Sequence, residues 1–357
     1  MRTGTARLPL HGGRAPRWLF ERMVRLAREI VLHMAAEHEP AELLRRLSDP
    51  WWFQALGCVL GFDWHSSGVT TTTCGALKEG IKGLEGELGL FVCGGKGAAS
   101  RRTPGEIEQW CEQTGLDADA LVRSSRLSAK VDNTAVQDSY QLYHHSFLFL
   151  ADGRWAVIQQ GMRDVDGTAR RYHWLGEGVE SFVEEPHAAV CCDRRAPALN
   201  LVASDSAAAR DCITGLAVDA QRETLKLVER LPELRLPNRH PVRPEDINPR
   251  YLKKVLLKTW EQPPEDFAAL LGVPGLGPKS LRALALVAEL IYGTPASTRD
   301  PARFSFAHGG KDGTPYPVDR QTYEQTIVVL HDAVRRAGVP DRERVAALRR
   351  LGRFLPA

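Results

Sequence analysis

The chain has 357 residues, a net charge of +3, 43% hydrophobic and 25% charged side chains, which is the composition of an ordinary globular protein and excludes disordered and fibrous classes. It shows no apolar run long enough to span a bilayer and no secretory leader, so a cytoplasmic protein with no membrane partner is expected. Seven scattered cysteines without a Cys-x-x-Cys pair argue against a disulfide framework, a zinc ribbon or a thiolate-held iron–sulfur cluster, and are expected as buried free thiols.

Taken in order, RWLFERMVRLAREIVLHMAAEHEPAELLRRLSD carries apolar residues at helical spacing with arginines between them, which predicts two amphipathic helices. Pro50 and the trio Trp51, Trp52, Phe53 open a tightly packed segment, and DWHSSG is a polar loop placed to cap a helix beginning near the threonines of VTTTTCG. LGLFVCGGKG predicts a short strand ended by its glycines, and residues 104–125 return to helical periodicity. In HHSFLFLADGRWAVIQQGM, two apolar runs flank Asp152-Gly153, a β-hairpin signal. Beyond Ser204 the pattern is helical: ARDCITGLAVDAQRETLKLVERL predicts one long helix, LPELRLPNRHPVRPED a connector, and the remainder short helices.

The expected fold class is therefore α+β, with an N-terminal α/β domain at 1–203 built on a sheet that contains the hairpin, and an all-helical domain at 204–357. Charge divides unevenly. Residues 231–357 hold 20 lysines and arginines against 14 acidic residues, a local +6 that leaves −3 for the first 230. A basic C-terminal part is compatible with a polyanionic partner.

The most pointed local feature is GVPGLGPKS, Gly272 to Ser280, which joins the short helix of EDFAALL to that of SLRALALVAELIYG. Glycine at Gly275 and Gly277 permits unusual backbone angles and close approach, and Pro278 suits the first turn of a helix. Gly275, Leu276, Gly277, Lys279 and Ser280 are thus expected to present backbone amides and the positive end of a helix to phosphate oxygens. Val273 to Lys279 resemble the helix-hairpin-helix of DNA-binding and repair proteins. Downstream, TPYPVDRQTYEQ resembles the Pro-Val-Asp segment of the helix-hairpin-helix DNA glycosylases. That resemblance implies a catalytic aspartate at Asp319 and, as in bifunctional members, a Schiff-base lysine at Lys279. The interval of 40 residues is longer than that family's usual spacing and includes the insertion STRDPARFSFAHGGKDGTPYP. An amine attacks C1′ only when neutral, so such a lysine needs a desolvated or electropositive site.

A second set of reactive side chains lies between Asp63 and His187. Asp63, His65, Asp138, His144, His145, Gln159 and Gln160 are candidates for a divalent-metal site, magnesium or manganese, that activates water against a phosphodiester. An aspartate followed by a hairpin resembles the outline of restriction-type nucleases, although the strand VIQQG lacks the acidic residue and lysine that outline expects. GGKG offers a possible phosphate nest, with Lys96 and Arg101 as backbone contacts.

Across the chain, WLF, DWHSSG, GGKG, SYQLYHHSF, WAVIQQGM, RRYHW, HPV, GLGPKS, LALVAELIYG and FSFAHGGKDG resemble the prokaryotic family known as domain of unknown function 763, usually described only as a helix-hairpin-helix protein. The expectation is a DNA-binding repair protein. Its leading reading is a glycosylase or abasic-site lyase that needs no cofactor. The alternatives are a metal-dependent nuclease with an N-terminal site and a non-catalytic DNA-binding module that recruits other repair factors.

Overall fold

The computed structural model describes residues 15–62, 66–192, 195–218, 221–230, 249–302 and 320–352. Asp63, His65, Asp319, the connector after Leu231 and most of the insertion before Asp319 lie outside the described residues.

Helices α1 (Arg17–Glu37), α2 (Pro40–Ser48), α3 (Pro50–Leu60) and α4 (Gly68–Gly80) open the chain. On α1 the apolar residues Met23, Leu26, Ala27, Ile30, Val31 and Met34 recur at helical spacing and are the buried ones. α3 starts on a firm signal: Asp49 accepts a hydrogen bond from the Trp52 amide at 2.7 Å and Pro50 stands at the first position. All eleven residues of α3 are buried. It approaches α4 so closely that a Cβ at Gly57 would lie 2.3 Å from the Val69 side chain.

After the short α5 (Glu85–Leu88), strand β1 (Leu90–Lys96) leads into α6 (Ala98–Arg101), α7 (Thr103–Thr114) and α8 (Ala118–Lys130), which runs into a π turn at Val131–Ala135. Next come β2 (Val136–Gln137), β3 (Gln141–Leu150), β4 (Trp155–Arg163), β5 (Thr168–Leu175), β6 (Ala189–Cys191) and β7 (Leu199–Asn200). The main sheet has the order β1-β3-β4-β5-β6 and is antiparallel throughout, while β2 and β7 form a separate pair. The expected hairpin is β3–β4, with Phe149 opposite Trp155 and Gly153 at φ +87° in the turn.

Both faces of the sheet are covered. Leu148, Leu150, Ala156 and Ile158 join the side chains of α1–α4, whereas Phe147, Phe149, Val157 and Trp174 join those of α8 and the helices beyond. Burial on both faces explains why these strands read as unbroken apolar runs rather than as alternation.

The helical part comprises α9 (Ala207–Val218), α10 (Gln221–Arg230), α11 (Pro249–Glu261), α12 (Phe267–Gly272), α13 (Pro278–Tyr292), α14 (Arg320–Arg336) and α15 (Asp341–Leu351). The single long helix expected from 209 to 231 is instead α9 and α10, packed on each other. Thr224 donates its hydroxyl to the Leu216 carbonyl at 3.0 Å; in one straight helix, residues eight apart are separated by about 12 Å. The fold is thus mixed helix and sheet. One apolar cluster, holding Phe147 and Trp174 together with Ile213, Leu256 and Leu284, is continuous across residue 203, and α14 and α15 return to pack on α1 and α3.

All seven cysteines are free, six buried and Cys212 half-buried. Burial pushes the thiols of Cys74, Cys93 and Cys191 up to about 12, as expected of inert core thiols. Among the described residues, no helix is long and apolar enough to cross a membrane.

Candidate functional site

The glycine turn sits between α12 and α13. Asp266 caps α12 by accepting from the Ala269 amide at 2.7 Å, Gly275 has φ +95°, and the Leu276 side chain is buried in the core. Four carbonyls of the turn are held by side chains. Pro274 O accepts from Lys258 Nζ at 2.8 Å, Gly275 O from Tyr251 Oη at 2.8 Å, Leu276 O from Lys130 Nζ at 2.7 Å and Pro278 O from Gln137 Nε2 at 2.9 Å. Gln137 is itself fixed, accepting from Arg282 Nε at 2.6 Å. With its carbonyls engaged by the protein, the turn has the electropositive start of α13 as its other pole. Ser280 is buried, and Lys279 is exposed beside a smaller hollow of about 290 Å³.

On its other side the turn borders a cleft of about 790 Å³. Leu276, Gly277 and Pro278 line it from the turn, α8 supplies Ser125, Arg123, Arg126 and Lys130, and Arg101, Tyr143 and His145 are among the other residues that border it. The turn and the N-terminal histidines therefore face one space, although more than a hundred residues separate them in sequence. Burial lowers the Lys130 ammonium below its ordinary range.

The sheet distributes the other candidates over two faces. His145 lies toward α8: its Nδ1 is 2.8 Å from Gln159 Oε1 and its Nε2 is 2.9 Å from Ser125 Oγ. Gln159 donates to Asp132 Oδ2 at 2.5 Å, and Asp132, fully buried in the π turn, also accepts from Trp174 Nε1 at 2.9 Å and pairs with His187 at 2.5 Å. Burial raises the Asp132 carboxyl, and the His187 pairing opposes that rise. Burial also brings His145 down to about 4, so its imidazole is neutral.

His144 borders the cleft but pairs with Gln160 on the opposite face, its Nε2 3.1 Å from Ser146 Oγ. Gln160 is occupied by Thr70, Tyr143 and the Ser67 carbonyl. Asp138 is elsewhere again. Its Oδ2 takes Arg170 at 2.8 Å and the Tyr172 hydroxyl at 2.7 Å, its Oδ1 takes the Tyr140 amide at 3.0 Å, and Arg170 goes on to Asp300 at 2.9 Å. That is a buried ion-pair network whose oxygens are already spent. The described members of the expected metal set thus do not converge, and among the described residues no group of three or more histidine, cysteine or acidic side chains is placed to hold a metal.

GGKG is a tight corner that requires glycine. Gly94, Gly95 and Gly97 have φ of +86°, +141° and +61°, and a Cβ at Gly94 would lie 2.3 Å from the His145 carbonyl oxygen. The Gly94 amide donates to Glu106, which also binds Lys78, and the Gly97 amide donates to the Tyr143 carbonyl. Two amides of the expected nest are therefore used inside the fold. Lys96 lies 5.7 Å from the Tyr143 ring centre.

Ser125, Lys130 and Asp132 had no motif to announce them. They are polar residues of a plain helical stretch, and only the pairing of distant segments brings them to the cleft.

Fold and cleft together define a mixed α+β protein in which a glycine turn and a sheet face share one basic cavity. Residues 4–318 match the family described as "Protein of unknown function (DUF763)", and the chain belongs to that family. No curated protein and no solved structure matches it.

Proposed function

We propose that this protein binds DNA through the sugar–phosphate backbone, with the glycine turn and the arginines of α8 lining the cleft that receives it, and acts in DNA repair. The observation that carries the reading is the tethering of the turn. Four carbonyls are drawn to protein side chains, which fixes the turn in place, and the positive end of α13, with the exposed Lys279 in its first turn, is the pole that would meet an anion. Arg101, Arg123 and Arg126 add positive charge along the same cavity.

Within that reading the helix-hairpin-helix resemblance implies base excision or abasic-site lysis by Lys279 and Asp319. Lys279 is exposed, so in that reading its surroundings during the reaction are supplied largely by the DNA. The metal-nuclease alternative has less behind it, since Asp138 is committed to Arg170 and Tyr172.

The test is fluorescence anisotropy with a labelled duplex over a range of salt, followed by borohydride trapping on an abasic duplex in EDTA. Affinity should fall steeply with salt, and Arg123→Ala with Arg126→Ala should weaken binding on every sequence and reduce the salt slope by about one for each arginine removed. No binding at low salt overturns the reading. A covalent band that disappears in Lys279→Ala supports the lyase; binding without any band leaves a DNA-binding module.

A further inference from the structure

On α8 three neighbouring serines use their hydroxyls differently. Ser124 donates to the Ala120 carbonyl at 2.9 Å and Ser128 to the Ser125 carbonyl at 3.0 Å, the local bonds expected of helical serine. Ser125 instead meets His145 Nε2 at 2.9 Å, and both groups border the cleft.

The hydrogens of this contact follow from the chain behind it. Trp174 Nε1 can only donate, so Asp132 Oδ2 is an acceptor, and Gln159 must turn its amide nitrogen to that oxygen. Gln159 Oε1 then faces His145 Nδ1 and has only a lone pair to offer, so Nδ1 carries the imidazole hydrogen. The lone pair is left on Nε2, and the Ser125 hydroxyl donates to it. A buried carboxylate thus fixes, through one amide, the tautomer of a histidine that faces a serine at the edge of a cavity. The amide holds the place that a carboxylate takes in a serine–histidine–aspartate triad.

We propose that Ser125 is a nucleophile toward phosphodiesters, with His145 as its base and Gln159 and Asp132 as positioning residues. The substrate class follows from the lining: among the described residues Arg101, Arg123, Arg126 and Lys130 border the cleft against one acidic residue, Asp119, a setting for an anion rather than a neutral ester. The site shares the cleft on which the DNA reading rests.

The step balances without a metal. Ser125 Oγ attacks phosphorus and forms a P–O bond, its proton passes to His145 Nε2, the bond from phosphorus to the leaving alkoxide breaks, and that oxygen takes the proton. Water, deprotonated by the same nitrogen, then attacks phosphorus, the bond from phosphorus to Ser125 Oγ breaks, and Oγ takes that proton back from Nε2, which releases free Ser125 and a phosphomonoester. The transient imidazolium is stabilised through Nδ1–H by Gln159 and, beyond it, by Asp132.

The experiment uses the full chain with bis(4-nitrophenyl) phosphate in EDTA, with 4-nitrophenyl acetate in parallel. Nitrophenolate release from the diester is expected, with a 4-nitrophenyl phosphate adduct on the peptide containing Ser125. Ser125→Ala, which removes one oxygen from a helix and one donor from His145, should lower release at least about 100-fold while the cooperative melt is kept, with the melting temperature down by a few degrees at most. Asp132→Asn frees Gln159 to turn over and should lower kcat with little change in KM. Release equal in wild type and Ser125→Ala, an adduct on Lys130 or Lys279 instead, or Ser125-dependent release from the acetate alone would each overturn the proposal. DNA binding without an adduct retires this proposal and leaves the binding reading intact; an adduct in a chain that binds no DNA does the reverse.

Discussion

Three histidines of the sheet, His144, His145 and His173, are fully or almost fully buried, and burial is the chief reason each stays neutral. His144 is down to about 3, with the neighbouring His145 and Lys96 adding to the effect, His145 is at about 4, and His173 lies well below its ordinary 6.5 beside Arg171. The buried nitrogens His144 Nδ1 and His173 Nε2 have no hydrogen-bond partner among the described residues, which suits a lone pair and not an added proton. The sign is set by which state binds protons first. On acidification the unfolded chain takes them up near 6.5 while the folded chain does not until about 4 or below, so stability falls as pH drops through that window. At pH 5 His144 and His145 each cost about 2 kcal/mol relative to pH 7, and His173 acts in the same direction; the raised Asp132 carboxyl works in the opposite sense but is one group against three. Denaturant titrations at pH 7 and pH 5 should therefore show a loss of several kcal/mol, and His144→Gln should recover about 2 of them. Equal stability at the two pH values would contradict this account.

At the scale of elements, the glycine turn depends on partners outside its own helices. Gln137 is the clearest case: it donates to the Thr134 and Pro278 carbonyls and accepts from Arg282, joining β2 to the start of α13. In Gln137→Leu these three groups go without that partner, at about 1 kcal/mol or somewhat more apiece where they are half-buried. The expected outcome is local opening: amide exchange across residues 273–281 about tenfold faster or more, with a small change in global melting temperature and weaker DNA binding. Uniformly faster exchange across the sheet would mean that Gln137 supports the whole core instead. The turn itself was legible in the sequence because glycine, proline and lysine punctuate two apolar runs, and the β3–β4 hairpin because Asp152-Gly153 does the same for strands. The tethers were not. Lys130 and Leu276 are 146 residues apart, Ser125 reads as one more polar residue of an amphipathic helix, and nothing in DSYQLYHHS says that Asp138 faces an arginine two strands away while His145 faces α8. Local propensity marks where the chain turns; which side chain meets which across the sheet is decided by packing of segments that periodicity cannot pair.

The whole molecule closes on itself. The expected units are 1–203 and 204–357, and the apolar material is shared across that division: α7 and α8 pack on the sheet, α12 packs on α8 and α9, Phe147 and Trp174 belong to one cluster with Ile213, Leu256 and Leu284, and α14 and α15 return to α1 and α3. From α14, α15 and the connection between them, Ile327, Leu330, Val334, Val339 and Leu351 are buried in the same apolar cluster as Met23, Leu26 and Ile30 of the first helix. Five such side chains at about 1.5–3 kcal/mol each come to about 10 kcal/mol as an upper estimate, comparable with the entire stability of a typical domain, about 5–15 kcal/mol. The ion pairs that accompany them, such as Arg336 with Glu37, are exposed and add little. A chain ending at residue 302 should therefore expose the apolar faces of α1 and α3 and aggregate or lose its cooperative melt, although the sheet and cleft residues are all still present. Supplying residues 303–357 as a separate co-expressed fragment should restore a soluble complex, because the covering surface and not chain continuity is what the truncation removes. If the truncated chain is instead monomeric, with the full chain's melting temperature, the N-terminal helices do not depend on the C-terminal pair. Light scattering and a thermal melt of the two preparations separate these outcomes.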